Sequence, residues 1–259
     1  MITAVHGIIQ SQQQSSAYLP LTTAWIAETG ESDVTIIDAL NTLEQSMINN
    51  SLTSKIKAFY PFVGGNATKH KYNFMNAVDS DTAFRLTFNG GWTHSSTGAK
   101  PNGTNGWADT YLNPTIILSQ DSVYMGMYSR TNISELSTDM GNNVINPVFD
   151  LELYLGVFYS YINGPLVFAG AGGTNGYFST SRYGATDSYI AKDGSSIAST
   201  VSPSTGCVNG NIMLATSTVT YFSSKELAGS IISEGLTNAE DLILYNLLQT
   251  FNTSLNRQV

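Results

Sequence analysis

The chain has 259 residues, of which 42% are apolar, and it carries a net charge of −8 from 11 basic and 19 acidic residues. This length provides for one large β domain with additions at its ends, or for two small domains. Lys and Arg are scattered without a basic run, which excludes a nucleic-acid interface built on phosphate contacts. Charged residues make up only 12% of the chain, about half the usual share. Ser, Thr, Asn and Gly must therefore cover most of the surface.

The compartment in which the chain folds is indicated by its cysteine content and by its first residues. Cys207 is the only cysteine, so no disulfide can form within the chain. Residues 1–10 lack the basic residues that open a secretory signal. No run reaches the roughly 18 apolar residues of a membrane helix. We therefore predict folding in the reducing cytoplasm of the cell that makes the protein, without membrane insertion.

Residues 1–31 show no clear period and are predicted to form an attachment arm. Apolar side chains cluster around Pro20. A flexible terminus would leave these side chains exposed to water. We expect this segment to dock on a partner chain or on the rest of the domain. The apolar residues expected to make that contact are Tyr18, Leu19, Trp25 and Ile26.

A helical connector is predicted over residues 32–59. Ser32 is a suitable N-cap, and Asp33 would lie in the first turn, where the helix dipole favours a negative charge. Residues 52–59 are interpreted as further turns that end before Pro61, because a residue that precedes proline avoids the helical region. Apolar residues recur at helical spacing and form a face for packing or assembly, comprising Ile36, Ile37, Leu40, Leu43 and Met47.

From residue 72 onward the pattern changes to short alternating runs, which are typical of strands. Lys192-Asp193-Gly194 separates two such runs and predicts a hairpin, because Asp-Gly tolerates the positive φ angles of a tight turn. Eight to ten strands separated by turns indicate a β-sandwich or barrel over residues 60–235. The predicted strands cover residues 84–88, 122–130, 148–159, 177–182, 187–191, 195–199, 211–215, 218–222 and 229–233.

The last segment, residues 236–259, is predicted to be an amphipathic helix that packs against the sandwich. Thr237 and Glu240 have the spacing of a capping box. Leu242, Tyr245 and Leu248 follow at helical spacing.

Asp150 and Glu152 place two carboxylates on one face of a predicted strand. Glycosidases use such pairs, one as nucleophile and one as general acid. On the jelly-roll fold a third acid normally follows two to three residues later, and Leu153, Tyr154 and Leu155 stand there instead. No Gly-x-Ser-x-Gly motif is present either. We therefore predict no enzymatic activity and no catalytic residue, with a glycosidase as the weaker alternative.

Metal and cofactor sites are not predicted. The three histidines are dispersed, and the chain has no Cys/His cluster. The glycine-rich stretch at residues 170–173 lacks the Gly-Lys-Ser/Thr of a phosphate loop and is interpreted as a turn. A calcium site stays an open alternative, because four carboxylates lie in or near loops, although their spacing matches no calcium loop. They are Asp79, Asp81, Asp109 and Asp121.

The densest combination of aromatic and amide residues lies at residues 90–107. Flat rings beside Asn and Gly are typical of sugar-binding loops, where a ring stacks on a pyranose and the amides bond its hydroxyls. Ordered loops of a sandwich use the same residues, with Trp as a plug at the edge. If a glycan binds, the predicted contacts are Trp92, Asn102, Asn105 and Trp107.

Several blocks of this sequence resemble virion proteins from phages and prophages of gut Bacteroidota, including crAss-like phages. The resemblance extends over roughly residues 33–259, and residues 1–31 lie outside it. Its matching blocks, in order, are residues 59–65, 70–73, 83–88, 90–95, 101–106, 128–132, 232–237 and 251–259.

The resemblance implies a phage structural protein on the virion surface, made in the cytoplasm of the bacterial host. The implied role is a capsid (head) fibre or decoration component, with a glycan-binding module of the tail-fibre type as the alternative. Its implied partners are other copies of itself, as trimers in many fibres, other virion proteins and host surface glycans. Residues 235–240 and their helix are also similar to the end of laminin G-like and pentraxin-like domains, which implies a concanavalin A-like jelly roll.

Overall fold

The structure is a computed structural model that describes residues 18–143 and 147–259. Within these ranges one 3-10 turn lies at Asp81–Ala83. The helices are α1 (Pro20–Thr29), α2 (Val34–Asn49), α3 (Ala67–His70), α4 (Pro114–Ile117) and α5 (Asn238–Ser254). No helix in these ranges combines the length and the hydropathy needed to cross a lipid bilayer.

The strands are short and most are joined by tight turns. They are β1 (Ile56–Tyr60), β2 (Thr87–Asn89), β3 (Trp92–Ser95), β4 (Gly98–Pro101), β5 (Trp107–Asp109), β6 (Val123–Ser129), β7 (Met140–Asn142), β8 (Phe149–Tyr154), β9 (Val157–Ile162), β10 (Leu166–Gly170), β11 (Gly176–Arg182), β12 (Asp187–Lys192), β13 (Ser195–Val201), β14 (Met213–Leu214) and β15 (Leu227–Ser233).

Two antiparallel sheets pack face to face. The first sheet has the order β13-β12-β11-β6-β15-β4-β3, and β1 also pairs with β15. The second sheet has the order β10-β9-β8-β7-β14-β5-β2. Residues such as Met125 and Ile232 of the first sheet and Leu151 and Phe158 of the second fill the space between them. The predicted mainly β sandwich is confirmed.

The outer face of the first sheet is covered by helices. Trp25 of α1, Leu40 of α2 and Leu248 of α5 form a second apolar cluster with Tyr128 and Ile231 of the sheet. Glu44 of α2 holds α1 in place, because its carboxylate accepts hydrogen bonds from the backbone N–H groups of Leu21 and Thr22 and from the Thr22 hydroxyl. Segment 20–29 therefore docks on its own domain, while residues 1–17 of the predicted arm lie outside the described residues.

The predicted connector is only partly helical. Asp33, and not Ser32, is the N-cap of α2, and its side chain accepts from the Thr35 N–H at 2.9 Å. The prediction of helical turns over residues 52–59 is wrong, because Ile56–Tyr60 is the strand β1. The short apolar run of β1 is compatible with a helix or with a strand. It forms a strand because it pairs antiparallel with β15.

The closing helix is confirmed as α5. The Thr237 hydroxyl accepts from the Glu240 N–H, and the Glu240 carboxylate accepts from the Thr237 N–H, so the capping box is complete. Asp241 follows in the first turn and is buried against the first sheet, where it accepts hydrogen bonds from Tyr124 and Ser179 at 2.6 and 2.7 Å. This helix is therefore fixed by polar as well as apolar contacts.

Most strand predictions hold, with three corrections. Residues 148–159 form two strands, because Leu155 and Gly156 take positive φ and make a turn. The strand predicted at residues 84–88 begins only at Thr87, since Phe84 ends the 3-10 turn with φ of 60°. Residues 218–221 form bends, and Phe222 makes a single β-bridge to Thr138 in place of the predicted strand. The hairpin at Asp193-Gly194 is confirmed, with φ of 50° and 72°.

Candidate functional site

The sequence-predicted glycan residues meet at one end of the sandwich. Trp92 on β3 and Trp107 on β5 are half-buried. The Trp92 indole N–H donates to the carbonyl oxygens of Asn89 at 3.1 Å and Trp107 at 3.3 Å. The indole of Trp92 is also stacked on His94, with the ring centroids 6.1 Å apart. The donor of Trp92 is therefore already used inside the domain.

The two amides of this group build the loop between β4 and β5. The Asn102 side-chain oxygen accepts from the backbone N–H groups of Thr104, Asn105 and Gly106, each at 3.0 Å. The Asn102 side-chain nitrogen donates to Asn105 Oδ1 at 2.8 Å, and the same oxygen accepts from the Gly91 N–H at 3.0 Å. These amides hold the loop in shape, and their glycan contact stays a prediction.

A second group of polar and aromatic residues lies on the outer face of the second sheet. Leu151 and Leu153 of β8 point into the core, so Asp150 and Glu152, which alternate with them, point outward. Asp150 is paired with Tyr161 of β9, and Glu152 is paired with Tyr159. The expected placement of both carboxylates on one strand face is thus observed.

The two carboxyl groups act on each other through their charges and through a hydrogen bond. Burial, the charge of Glu152 and a hydrogen bond that Asp150 donates to Glu152 raise the pKa of Asp150 well above its ordinary value. Burial also raises the pKa of Glu152. Asp150 is fully buried, and its oxygens accept from the Tyr161 N–H and the Asn143 side-chain amide, both at 3.1 Å. The pair therefore keeps a proton at a pH where free carboxyls have lost theirs.

Aromatic rings continue this face towards the edge of the sheet. Tyr159 of β9 stands opposite Phe168 of the edge strand β10, and their rings are stacked with centroids 5.8 Å apart. Tyr154 meets Tyr159 edge-on at 6.2 Å. Phe168 is 59% exposed, which is unusual for a large ring on a strand. The result is an aromatic platform of Tyr154, Tyr159 and Phe168, in which Tyr159 stands directly opposite Glu152 of the acid pair.

A buried ion network that the sequence did not predict contacts β8, the strand that carries the acid pair. Lys225 is completely buried and donates to Asp139 at 3.0 Å and to Glu135 at 3.0 Å. The other Asp139 oxygen accepts from the Leu153 N–H at 2.7 Å, which ties the network to β8. The charge of Asp139 also helps to raise the pKa of Glu152. Lys225 and Asp139 are 86 positions apart, so no local pattern could reveal them.

The loop carboxylates considered for calcium are each occupied by other partners. Asp79 is paired with Lys71 at 2.6 Å, and Asp81 is paired with Arg85 at 2.8 Å. The Asp109 carboxylate accepts from Asn211, while Asp121 accepts from a serine hydroxyl. In the part of the chain that the structure describes, no three His, Cys, Asp or Glu side chains are grouped to hold a metal.

The residues predicted for assembly divide into two groups by burial. The second apolar cluster includes Trp25, Leu40, Leu43 and Met47. Ile37 is buried as well. These five side chains stabilise the chain from inside and offer no free surface to a partner. The others are only half-buried, so their role in assembly stays a prediction; they are Tyr18, Leu19, Ile26 and Ile36.

Comparison with known proteins supports the fold alone. No family model and no curated protein matches this sequence. A receptor binding domain of solved structure aligns over 77% of this chain with 13% identity and a TM-score of 0.53. The binding domain of Paraclostridial Mosquitocidal Protein 1 aligns over 75% with 13% identity and a TM-score of 0.47. Each alignment covers 52% of the other chain, so this chain spans about half the length of those structures. The first likeness agrees with the two-sheet sandwich described above.

Proposed function

We propose that this chain is a phage virion surface protein, a capsid fibre or decoration component, whose sandwich binds host glycans through the outer face of the second sheet. The blocks that resemble Bacteroidota phage virion proteins support the virion part of the proposal. The observation that carries the glycan part is the joint position of the Asp150–Glu152 pair and the exposed Phe168 ring on one sheet face.

The chemistry of this face suits a sugar. A pyranose has one apolar side, which stacks on an aromatic ring, and hydroxyl groups that both donate and accept hydrogen bonds. Phe168, backed by Tyr159, offers the ring. Glu152, the half-buried member of the acid pair, offers its carboxyl group to the sugar hydroxyls. On the first sheet, helices cover the outer face of the central strands β6 and β15.

Binding without hydrolysis is the better interpretation of the acid pair. A retaining glycosidase holds its two carboxyls about 5–5.5 Å apart, and an inverting one holds them farther apart. Asp150 and Glu152 are hydrogen-bonded to each other, which is too close for a glycosidic bond between them. If the chain were nevertheless a hydrolase, Glu152→Gln would abolish turnover of host capsular glycans, and release of reducing sugar by the unchanged protein would show it.

The glycan part is tested by binding of capsular polysaccharide from the bacterial host, measured by biolayer interferometry. We expect Phe168→Ala to weaken binding about 5- to 30-fold, since one stacked ring contributes about 1–2 kcal/mol. Ile197→Ala removes an apolar residue that is exposed on the first sheet, and this matched control should bind normally. Equal binding by both variants would overturn the placement on the second sheet. A loss with Trp92→Ala alone would move the site to the loops at residues 90–107.

The virion part is tested separately. Antibodies raised against the purified chain should label intact phage particles in immunogold electron microscopy, on the head for a capsid fibre. Labelling of the tail would support the tail-fibre alternative, and unlabelled particles would contradict the proposal. The mass of the full chain in solution, compared with a chain starting at Tyr18, tests whether residues 1–17 drive oligomer formation. This truncation keeps α1, whose Trp25 belongs to the core.

A further inference from the structure

A lysine and two carboxyl groups meet in the interior of the domain. Lys225 is the only buried lysine in the described part of the chain. Its ammonium nitrogen lies 3.0 Å from Asp139 Oδ1 and 3.0 Å from Glu135 Oε1, and it donates to the Ser137 hydroxyl at 2.8 Å. Lys225 is 0% exposed and Asp139 is 1% exposed. Each of the three ammonium hydrogens therefore has a protein acceptor, and bulk water does not reach the pair.

The backbone holds Asp139 and Lys225 in place. Asp139 directly precedes β7 of the second sheet. Its N–H donates to the Leu151 carbonyl at 3.2 Å, and its carbonyl accepts from the Ala215 N–H at 2.7 Å. Lys225 lies shortly before β15 of the first sheet, and its N–H donates to the Ser223 hydroxyl at 3.2 Å. Groups fixed against each other in this way can react with effective concentrations of about 10⁵–10⁸ M.

The two carboxyl groups have different surroundings. Asp139 Oδ2 accepts from the Leu153 N–H at 2.7 Å, a donor that would stabilise negative charge on this oxygen if a nucleophile attacked the carboxyl carbon. Glu135 accepts from the backbone N–H and the hydroxyl of Ser224. Burial raises the pKa of Glu135, but the charge of Lys225 and the hydrogen bonds of Ser224 lower it overall. Asp139 is thus arranged as an electrophile, and ionised Glu135 is arranged as a proton acceptor.

We propose that Lys225 and Asp139 form an intramolecular isopeptide bond, with Glu135 as the group that carries the proton. Lys225 Nζ gives one proton to Glu135 and attacks Asp139 Cγ, so that the C–N bond forms. Asp139 Oδ1 takes up that proton and a second one from the nitrogen, the C–Oδ1 bond breaks, and the oxygen leaves as water. One ammonium and one carboxylate thus become one amide and one water, without a further co-reactant. The ion pair described above is the reactant of this step.

The bond would join the two sheets of the sandwich. Asp139 precedes a strand of the second sheet and Lys225 precedes a strand of the first, 86 positions apart along the chain. A covalent link over a loop of this length constrains the unfolded chain, as a disulfide does. Cys207 is the only cysteine, so no disulfide within the chain can have this effect. The inference depends neither on glycan binding nor on a place in a virion.

Mass spectrometry of the purified, denatured full chain tests the bond. We expect a mass that is lower by one water than the sequence requires. After digestion with trypsin, peptide 131–182 should be joined to peptide 193–257, because trypsin does not cleave after a lysine whose amine is in an amide. Fragment ions should place the branch between Lys225 and Asp139.

Three variants separate the bond from an ordinary ion pair. Lys225→Arg keeps the positive charge but removes the amine nucleophile, so its mass should equal the mass that its sequence requires. Lys57→Arg is the matched control at a surface lysine that pairs with Glu234, and it should still lose one water. Glu135→Gln keeps the size of the side chain but removes the proton acceptor, and it should reduce the fraction of bonded chains about tenfold or more.

The outcomes decide each part of the proposal. An unchanged protein of full mass overturns it. Loss of one water that persists in Lys225→Arg also overturns it, because the dehydration would then lie elsewhere, for example at Asp193-Gly194. A branch at Glu135 contradicts the choice of Asp139, and complete water loss in Glu135→Gln contradicts the role of Glu135. Should Lys225→Arg fail to fold, the branched peptide of the unchanged protein decides alone.

Discussion

Replacing Lys225 by methionine should be among the most damaging single changes in this chain. The ammonium group is completely buried and contacts Glu135 at 3.0 Å, Ser137 at 2.8 Å and Asp139 at 3.0 Å. Methionine fills much of the same volume but leaves two carboxylates without their counter-charge. One of them, Asp139, also accepts from the Leu153 N–H, so the damage reaches the strand that carries the acid pair.

The expected loss in the free energy of unfolding is about 3–5 kcal/mol at pH 7, the usual cost of removing one partner from a buried ion pair. Burial raises the pKa of Glu135, Lys225 and Ser224 lower it, and the net change is a lowering. The stability that comes from Glu135 is therefore present above the pKa of the unfolded chain and is lost as the pH falls through the folded value. The stability difference between Lys225→Met and the unchanged protein should therefore narrow as the pH falls below 4.5, the ordinary pKa of a glutamate.

Urea denaturation followed by circular dichroism measures this difference. Lys57→Met is the matched control, because Lys57 pairs with Glu234 at 2.7 Å at the surface and should lose less than about 1 kcal/mol. Adding Asp139→Asn to Lys225→Met should recover part of the loss, since one unpaired charge disappears. A Lys225→Met variant within 1 kcal/mol of the unchanged protein would refute the reasoning.

Three further predictions concern local features. Burial and His94 lower the pKa of His70 to about 3, so stability should fall by about 2 kcal/mol between pH 7 and pH 5 as the unfolded chain takes up the proton. In urea titrations His70→Phe should remove the His70 part of that slope and leave the part that comes from His94, whose pKa burial also lowers. Thr237→Ala should cost about 1 kcal/mol in thermal unfolding through loss of the α5 cap, and no change would contradict the capping box. Gly90→Ala should cost at least about 1 kcal/mol, because φ is 66° and its Cβ would lie 1.9 Å from the Asn105 carbonyl oxygen; an unchanged melting temperature would exclude that clash.

The sequence was most informative where one or two residues determine the backbone. Asp193-Gly194 and the capping box of Thr237 each act through their own side chain or φ angle, so both elements were predicted correctly. Residues 56–60 carry an apolar run that suits a helix or a strand equally. Their state is set by pairing with β15, which lies more than 170 positions later, and no local pattern reports that contact.

The candidate site shows the same difference between features set by neighbouring residues and features set by contacts between distant parts of the chain. The spacing of Asp150 and Glu152 correctly placed both carboxylates on one strand face. The aromatic rings near them are placed by the order of strands in the sheet, which puts Tyr159 opposite Glu152 and Phe168 opposite Tyr159. The amides at residues 102 and 105 show the opposite case. Their composition predicts sugar contacts, yet their hydrogen bonds are spent on the loop itself. Composition alone does not tell which polar atoms remain free.

The difference between the two outer faces explains why the second sheet is the better place for a ligand. Every residue of β6 and β15 is buried, because helices cover the side that faces away from the core. In β9 of the second sheet, buried and half-buried residues alternate strictly, as expected when one face meets solvent. The half-buried positions of β9 include Tyr159 and Tyr161, which place two aromatic rings on this solvated face. Aromatic side chains on a solvated face, next to a carboxyl pair that keeps its proton, are costly features that binding of a sugar would offset.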